Sequence, residues 1–143
     1  MKTCLIIDDS DVIREIVARI VEGLGFKPHE AGDAVDAIEF CRSTKPDIVL
    51  LDWDLPSIGA LDFLRGIGGF EAGQKPKIVL CATENNPKQF ALARAAGAEF
   101  HILKPYDHDA IARAFAEAGV LDADEAGSAI NDIVAPEADR EVS

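Results

Sequence analysis

A chain of 143 residues with 48% apolar content fits one globular domain. Its 14 Lys and Arg against 26 Asp and Glu give a formal charge of −12, which opposes contact with nucleic-acid phosphates. No apolar run approaches the roughly 18 residues that span a bilayer, and Asp8 and Asp9 end the first run too early for a signal peptide. We therefore expect a cytoplasmic protein that binds neither membranes nor nucleic acid.

Apolar runs alternate with helical patterns from the N-terminus onwards. Strands are predicted at residues 4–7, 26–30, 48–51, 78–82 and 100–103. All but the second are continuous apolar runs, typical of strands covered on both faces. Strands that alternate with helices predict right-handed crossovers and a doubly wound, five-stranded parallel α/β sheet.

The sequence predicts some of the helices more strongly than others. In the first, which Ser10 or Asp11 can cap and Gly25 can end, apolar residues repeat at three- and four-residue spacing and predict the buried face. Those residues are Ile13, Ile16, Val17, Ile20 and Leu24. Further helices are predicted from residue 34 to before Pro46, from Pro87 to Gly97 and over residues 108–118. The third helix is predicted to be weak, because four glycines follow Leu64.

Two domain-level expectations follow from composition. Residues 1–121 form the folded domain, and residues 122–143 form an acidic, flexible tail with seven acids and one basic residue.

Cys4, Cys41 and Cys81 lie within apolar segments and are odd in number, which favours buried thiols over disulfides or a metal site. The three histidines lack metal-ligand spacing, which argues against zinc.

Charged side chains follow three of the predicted strands. Asp8 and Asp9 follow the first, Asp52 the third and Lys104 the fifth. The carboxyl ends of parallel strands meet at one edge of a sheet, so these residues are expected to share a pocket. Carboxylates 4 Å apart repel by about 4 kcal/mol at an effective dielectric of 20, and oxygen ligands suit Mg²⁺. A magnesium site is therefore predicted.

The ordered set resembles the receiver domain of two-component response regulators, over about residues 1–121. The resemblance rests on Asp8-Asp9, the stretch Asp52-Trp53-Asp54-Leu55-Pro56, Gly97-Ala98 and Lys104-Pro105. Trp53 and the stretch Cys81-Ala82-Thr83-Glu84-Asn85 look most like stand-alone, chemotaxis-type receivers.

The resemblance implies a flavodoxin-like (βα)₅ fold with strand order 2-1-3-4-5. It also implies that Asp52 accepts a phosphoryl group, that Lys104 contacts this group, and that the Lys104-Pro105 bond is cis. Mg²⁺ would be held by Asp8, Asp9, Asp52 and the backbone carbonyl of Asp54. The implied donor is a sensor histidine kinase or a phosphotransfer protein, and the implied output is a protein target bound through the fourth helix, fifth strand and fifth helix.

Three positions depart from the family pattern, one of them the loop after Asp52, where Gly59-Ala60 stands in place of the usual Asp-Gly or Asn-Gly pair. The switch position at the end of the fourth strand, where receivers have Thr or Ser, is Ala82, and Thr83 follows it. The aromatic position of the fifth strand is His101. Acceptor chemistry is therefore expected, whereas transmission of the signal is in doubt.

Other interpretations remain open at this point. The acids could cap the first helix and Lys104 could be a solvated strand-end charge, a purely structural reading. Asp52-Trp53-Asp54 also resembles the opening motif of haloacid-dehalogenase-type phosphatases, but there the nucleophile precedes the acidic pair. Within the receiver reading, the chain could be a phosphorelay intermediate, a phosphate sink or an interaction module with a weakened switch. A receiver is not expected to be a turnover enzyme.

Overall fold

The computed structural model describes residues 2–56, 59–71, 73, 75–104 and 107–121. The predicted cis bond before Pro105 and the predicted acidic tail lie outside these residues. The boundary at residue 121 stays a prediction.

Five strands alternate with five helices in the described residues. In chain order they are β1 (Thr3–Ile7), α1 (Asp11–Gly23), β2 (Lys27–Ala31), α2 (Ala34–Ser43), β3 (Ile48–Asp52), α3 (Gly59–Ile67), β4 (Lys77–Ala82), α4 (Pro87–Ala95), β5 (Phe100–Leu103) and α5 (His108–Glu117). The strands pair in parallel in the order β2-β1-β3-β4-β5. The predicted fold class and strand order are confirmed.

Helices cover both faces of the sheet. Buried side chains of α1 and α5 pack on one face, and those of α2, α3 and α4 pack on the other. The central strands β1 and β3 contribute to both layers, which explains their continuous apolar runs. Cys4, Cys41 and Cys81 are buried thiols, as predicted, and burial raises the pKa of Cys41 to about 11.

The predicted buried face of α1 is only partly correct. Val17 and Leu24 are buried, but Ile13 and Ile16 are 39% and 52% exposed, and Val12 is 62% exposed. Apolar residues occur on more than one side of the first turns, so spacing alone does not identify the side that meets the sheet. We call Val12, Ile13 and Ile16 the α1 patch.

The fifth strand also differs from its prediction as a doubly covered strand. β5 lies at the edge of the sheet, where Phe100 and Ile102 are half-buried while His101 and Leu103 are exposed. An edge strand has one neighbour and here only one well-covered face, so an apolar run is not sufficient to predict full burial.

The third helix forms despite its glycines because one of them has a packing role. A Cβ on Gly66 would overlap Cδ1 of Ile38 on α2, so Gly66 allows α2 and α3 to approach closely. The chain leaves helical geometry after Ile67, where Gly68 and Gly69 follow.

Gly66→Val should therefore lower the free energy of unfolding by about 1–3 kcal/mol, because the added methyl groups overpack the α2–α3 contact. Chemical denaturation followed by circular dichroism measures this. Gly69→Val is the matched control, since no atom lies within 4 Å of a Cβ built there. Equal stability of the two variants would contradict the packing role of Gly66.

Candidate functional site

The charged residues that the sequence singled out meet at one edge of the sheet. Asp8 follows β1, Asp52 ends β3 and Lys104 follows β5. The strand register aligns these ends, because Ile7 pairs with Leu51 and Ala82 with Leu103. Asp8 and Asp52 are the charged residues buried in the described part of the chain, at 4% and 3% exposure. Two carboxylates have thus been withdrawn from water at the same edge.

Three carboxylates form a cluster that could hold a cation. One oxygen from each of Asp8, Asp9 and Asp52 lies within 4.8 Å of the others. All three donors are carboxylate oxygens, and Asp9 is exposed, so solvent reaches the cluster. This donor set fits Mg²⁺, which binds through one or two carboxylates and keeps several waters.

Lys104 partly neutralises this cluster. Its Nζ donates to Asp52 Oδ1 at 2.6 Å and lies 3.9 Å from Asp8 Oδ2. Burial lowers the pKa of Lys104, but the hydrogen bond and charge of Asp52, with the charges of Asp8 and Asp54, outweigh it and raise that pKa. Lys104 therefore carries its positive charge at neutral pH. Its backbone N–H donates to the Ala82 carbonyl at 2.7 Å, which ties it to β4.

The surroundings of the Asp8 carboxylate disfavour its ionised form when no metal ion is bound. Burial raises its pKa and the charge of Asp52 adds to this, although a hydrogen bond from the Ser10 N–H acts in the opposite direction. Ser10 also caps α1, since its hydroxyl accepts from the Ile13 N–H at 3.2 Å. Asp8 therefore belongs to the charge cluster rather than to the helix cap.

Asp54 and Thr83 extend the site on the side of β4. The Asp54 N–H donates to Asp52 Oδ1 at 2.9 Å, and the Thr83 hydroxyl donates to Asp54 Oδ2 at 2.6 Å. That oxygen lies 3.8 Å from Lys104 Nζ. Ala82 is buried and offers no hydrogen-bonding side chain at this position. The Thr83 hydroxyl is thus already bound to Asp54.

Trp53 connects the end of β3, beside Asp52, to α4. Its backbone N–H donates to the Cys81 carbonyl at 2.8 Å, and its indole Nε1 donates to Gln89 Oε1 at 2.9 Å. Phe90, the next residue of α4, stacks on His101 of β5 with ring centroids 4.2 Å apart. Contacts therefore run from Asp52 through α4 to β5.

One residue at the site escaped the sequence analysis. The Arg14 guanidinium donates to the backbone carbonyl of Asp8 at 2.6 Å. A helix arginine has no motif that would indicate such a contact, because its partner is a main-chain atom.

The comparisons with known proteins agree with this fold. The model of the response regulator receiver domain matches residues 4–116. The chain therefore belongs to the response regulator receiver domain family.

Its relatives indicate the type of receiver. Chemotaxis protein CheY-3 of Vibrio cholerae is 30% identical over 103 residues, which are 71% of this chain and 79% of that protein. Chemotaxis protein CheY of Pseudomonas aeruginosa is 28% identical over 71% of this chain and 83% of that protein. The CAI-1 autoinducer sensor kinase/phosphatase CqsS of Vibrio cholerae is 32% identical, but the match spans 16% of its length.

Solved structures support the fold. The Vibrio cholerae chemotaxis protein CheY4 superimposes with a TM-score of 0.77 at 21% identity, over 82% of this chain and 98% of that chain. The chain is thus a CheY-like receiver domain, a signalling module of two-component systems rather than a typical turnover enzyme. In the described residues, no helix has the length and apolarity to cross a membrane.

Removal of one charge from the cluster should have opposite effects with and without metal. Asp9→Asn should weaken Mg²⁺ binding at least about tenfold, because a ligand charge is lost, and should raise the melting temperature in EDTA by a few degrees, because repulsion falls. Trp53 fluorescence measures the Mg²⁺ titration, and calorimetry measures the melting.

Asp11→Asn is the control with the same change in charge. Asp11 is exposed in the first turn of α1, where an acid stabilises the helix N-terminus, so this variant should keep its Mg²⁺ affinity and gain no stability. Similar Mg²⁺ affinities for Asp9→Asn and the unmodified protein would argue against the metal site.

Proposed function

We propose that this protein is a chemotaxis-type response regulator. In this proposal Asp52 accepts a phosphoryl group from a histidine kinase or phosphotransfer protein, and the modified protein signals by binding a target. The observation that carries the proposal is the buried Asp52 carboxylate held at 2.6 Å by Lys104 beside two further acids. The coverage of the CheY relatives supports the chemotaxis assignment.

The transfer step requires the acceptor oxygen to be placed in line with the phosphorus. Lys104 Nζ and the Asp54 N–H both donate to Asp52 Oδ1, so Oδ2 is the oxygen that we assign as the nucleophile. The new Oδ2–P bond forms as the P–N bond of a donor phosphohistidine breaks, and the electron pair of that bond returns to the imidazole. Positioning and charge neutralisation supply the catalysis in such transfers.

Each cation has a distinct role in this step. Mg²⁺, when bound by Asp8, Asp9, Asp52 and the backbone carbonyl of Asp54, would neutralise phosphoryl oxygens. Lys104 lies 2.6 Å from the acceptor and is positively charged, so it can follow the charge that develops on the phosphoryl group. Because the product is a modified side chain, one phosphoryl group per chain is expected.

The α1 patch is the proposed docking site of the phosphoryl donor. Val12, Ile13 and Ile16 are exposed on the helix that begins directly after the acidic loop. An exposed apolar group of this kind is typical of a protein contact site. A donor bound there would lie beside Asp52. The surface formed by α4, β5 and α5 remains the proposed target site, since the contacts of Trp53 reach it.

Incubation with a small phosphodonor such as phosphoramidate and Mg²⁺ should add one phosphoryl group to Asp52. Asp52→Asn should abolish the added mass, because an amide is not a competent nucleophile here. Asp54→Asn, the control at the neighbouring carboxylate, should retain it. Intact-mass and peptide mass spectrometry measure both, and a label on any residue other than Asp52 would contradict the assignment.

The switch is proposed to be weaker than in receivers that have Thr or Ser at the end of β4. A hydroxyl that bonds the phosphoryl group only in the modified state contributes about 1.5–3 kcal/mol between the two conformations. Ala82 cannot form this bond, and the Thr83 hydroxyl would first have to leave Asp54. An interaction module with partial switching is therefore the second candidate function.

Ala82→Thr should increase the ratio of active-like to inactive conformers under beryllofluoride by about 10- to 100-fold relative to the unmodified protein, the equivalent of one charge-assisted hydrogen bond. A cleft of about 430 Å³ that Ala82 and Thr83 line leaves room for the larger side chain. NMR chemical shifts of α4 and β5 measure the population.

Thr83→Val is the companion variant, because it removes the hydroxyl and keeps the shape. It should leave the beryllofluoride response unchanged. If the unmodified protein already shifts completely, or if Thr83→Val alone abolishes the shift, the weakened switch is wrong and Thr83 supplies the hydroxyl.

A further inference from the structure

Arg14 makes two directed contacts that link α1 to the acidic loop and to β2. One guanidinium nitrogen, Nη1, donates to the Asp8 carbonyl at 2.6 Å, and Nε donates to Glu30 Oε1 at 3.1 Å. The Arg14 side chain is 17% exposed, so most of it is withdrawn from water. A planar guanidinium held at two points fixes its partners more firmly than a single ammonium contact.

The surrounding backbone leaves a space for this group. A Cβ built on Gly32 would lie 3.3 Å from Arg14 Nη1, closer than ordinary packing allows. Because Gly32 has no side chain, it leaves room for the Arg14 guanidinium.

The backbone N–H and carbonyl of Asp8 and one of its carboxylate oxygens each have a hydrogen-bond partner. Its N–H donates to the Ala31 carbonyl at 3.2 Å, its carboxylate Oδ1 accepts from the Ser10 N–H at 2.9 Å, and its carbonyl accepts from Arg14. The peptide that joins Asp8 to Asp9 carries that carbonyl. Arg14 thus fixes the plane of the peptide between the two carboxylates.

We propose that Arg14 is a positioning residue for the Asp8-Asp9 loop and thereby raises its affinity for Mg²⁺. This inference rests on the proposed function, in which the loop holds the metal. Arg14 acts through Asp8 and does not contact the reacting atoms. Mutation of a group that orients a metal ligand typically lowers metal affinity 10- to 100-fold.

The sign of the effect separates positioning from simple electrostatics. A positive charge near the site repels Mg²⁺, so its removal alone would tighten binding. Positioning predicts the reverse, because the loop loses its fixed peptide. Glu30 already balances the charge of Arg14, which reduces the electrostatic contribution.

The test compares Mg²⁺ dissociation constants by calorimetry and by Trp53 fluorescence. Arg14→Gln should weaken binding about tenfold, and Arg14→Lys should restore part of the loss, since an ammonium can still donate to the carbonyl. Arg19→Gln is the matched control on the same helix, because the Arg19–Glu15 pair is largely exposed. It should bind like the unmodified protein. Unchanged or tighter binding in Arg14→Gln would overturn the proposal.

A second variant displaces the guanidinium without removing its charge, in case Arg14→Gln fails to fold. Gly32→Ala should weaken Mg²⁺ binding a few-fold, whereas Gly69→Ala, with no atom within 4 Å of its added Cβ, should not. Equal affinities for the two alanine variants would also count against positioning by Arg14.

A metal-free measurement separates failure of this proposal from failure of the proposed function. In EDTA, the Ser10 amide should be protected from hydrogen exchange and should lose protection in Gly32→Ala and Arg14→Gln. If the unmodified protein does not bind Mg²⁺, the proposed function is wrong, yet the exchange data still decide whether Arg14 orders the loop. Full protection of Ser10 in both variants would show that it does not.

Discussion

The ion pair between Lys104 Nζ and Asp52 Oδ1 is the interaction on which the arrangement of the carboxylate cluster depends. Burial of Asp52 at 3% exposure beside Asp8 is costly, and a lysine at 2.6 Å offsets part of that cost. One positive charge among three carboxylates leaves the cluster negative. The negative charges that remain in the cluster repel one another, so a cation bound there would stabilise the fold.

The same pair explains how the edge of the sheet is organised. Lys104 reaches Asp52 because its own backbone is tied to Ala82, so β3, β4 and β5 end in register at the site. One hydrogen bond joins Asp54, after β3, to Thr83, after β4. Asp52 thus ends β3 and is linked to the ends of β4 and β5, whereas the Thr83 hydroxyl has Asp54 as its partner.

The sequence was sufficient for the fold because its signals are redundant. Apolar runs, glycine at positive φ after α1 and the alternation of strands with helices all favour one topology. It was harder to predict which face of a helix or strand is buried. Ile13 and Ile16 continue an apolar repeat yet point to solvent, and β5 has an apolar run at an edge, because burial depends on neighbours distant in sequence.

Some residues of the site could likewise be predicted from the sequence and others could not. Asp8, Asp9, Asp52 and Lys104 could be selected because charged residues at the ends of apolar runs are unusual and ordered. Arg14 could not, since its partner is a carbonyl that every residue possesses, and the Thr83–Asp54 bond depends on the close approach of two loops. The position of β5 at the margin of the sheet has a further consequence. Leu103 is exposed and belongs to neither packed layer, so its substitution changes the outer surface without opening a void. His101 is exposed as well, but it stacks on the buried Phe90 and so supports one layer. The outer side of β5 can therefore vary while Asp52, at the end of the central strand β3, stays fixed by its buried contacts.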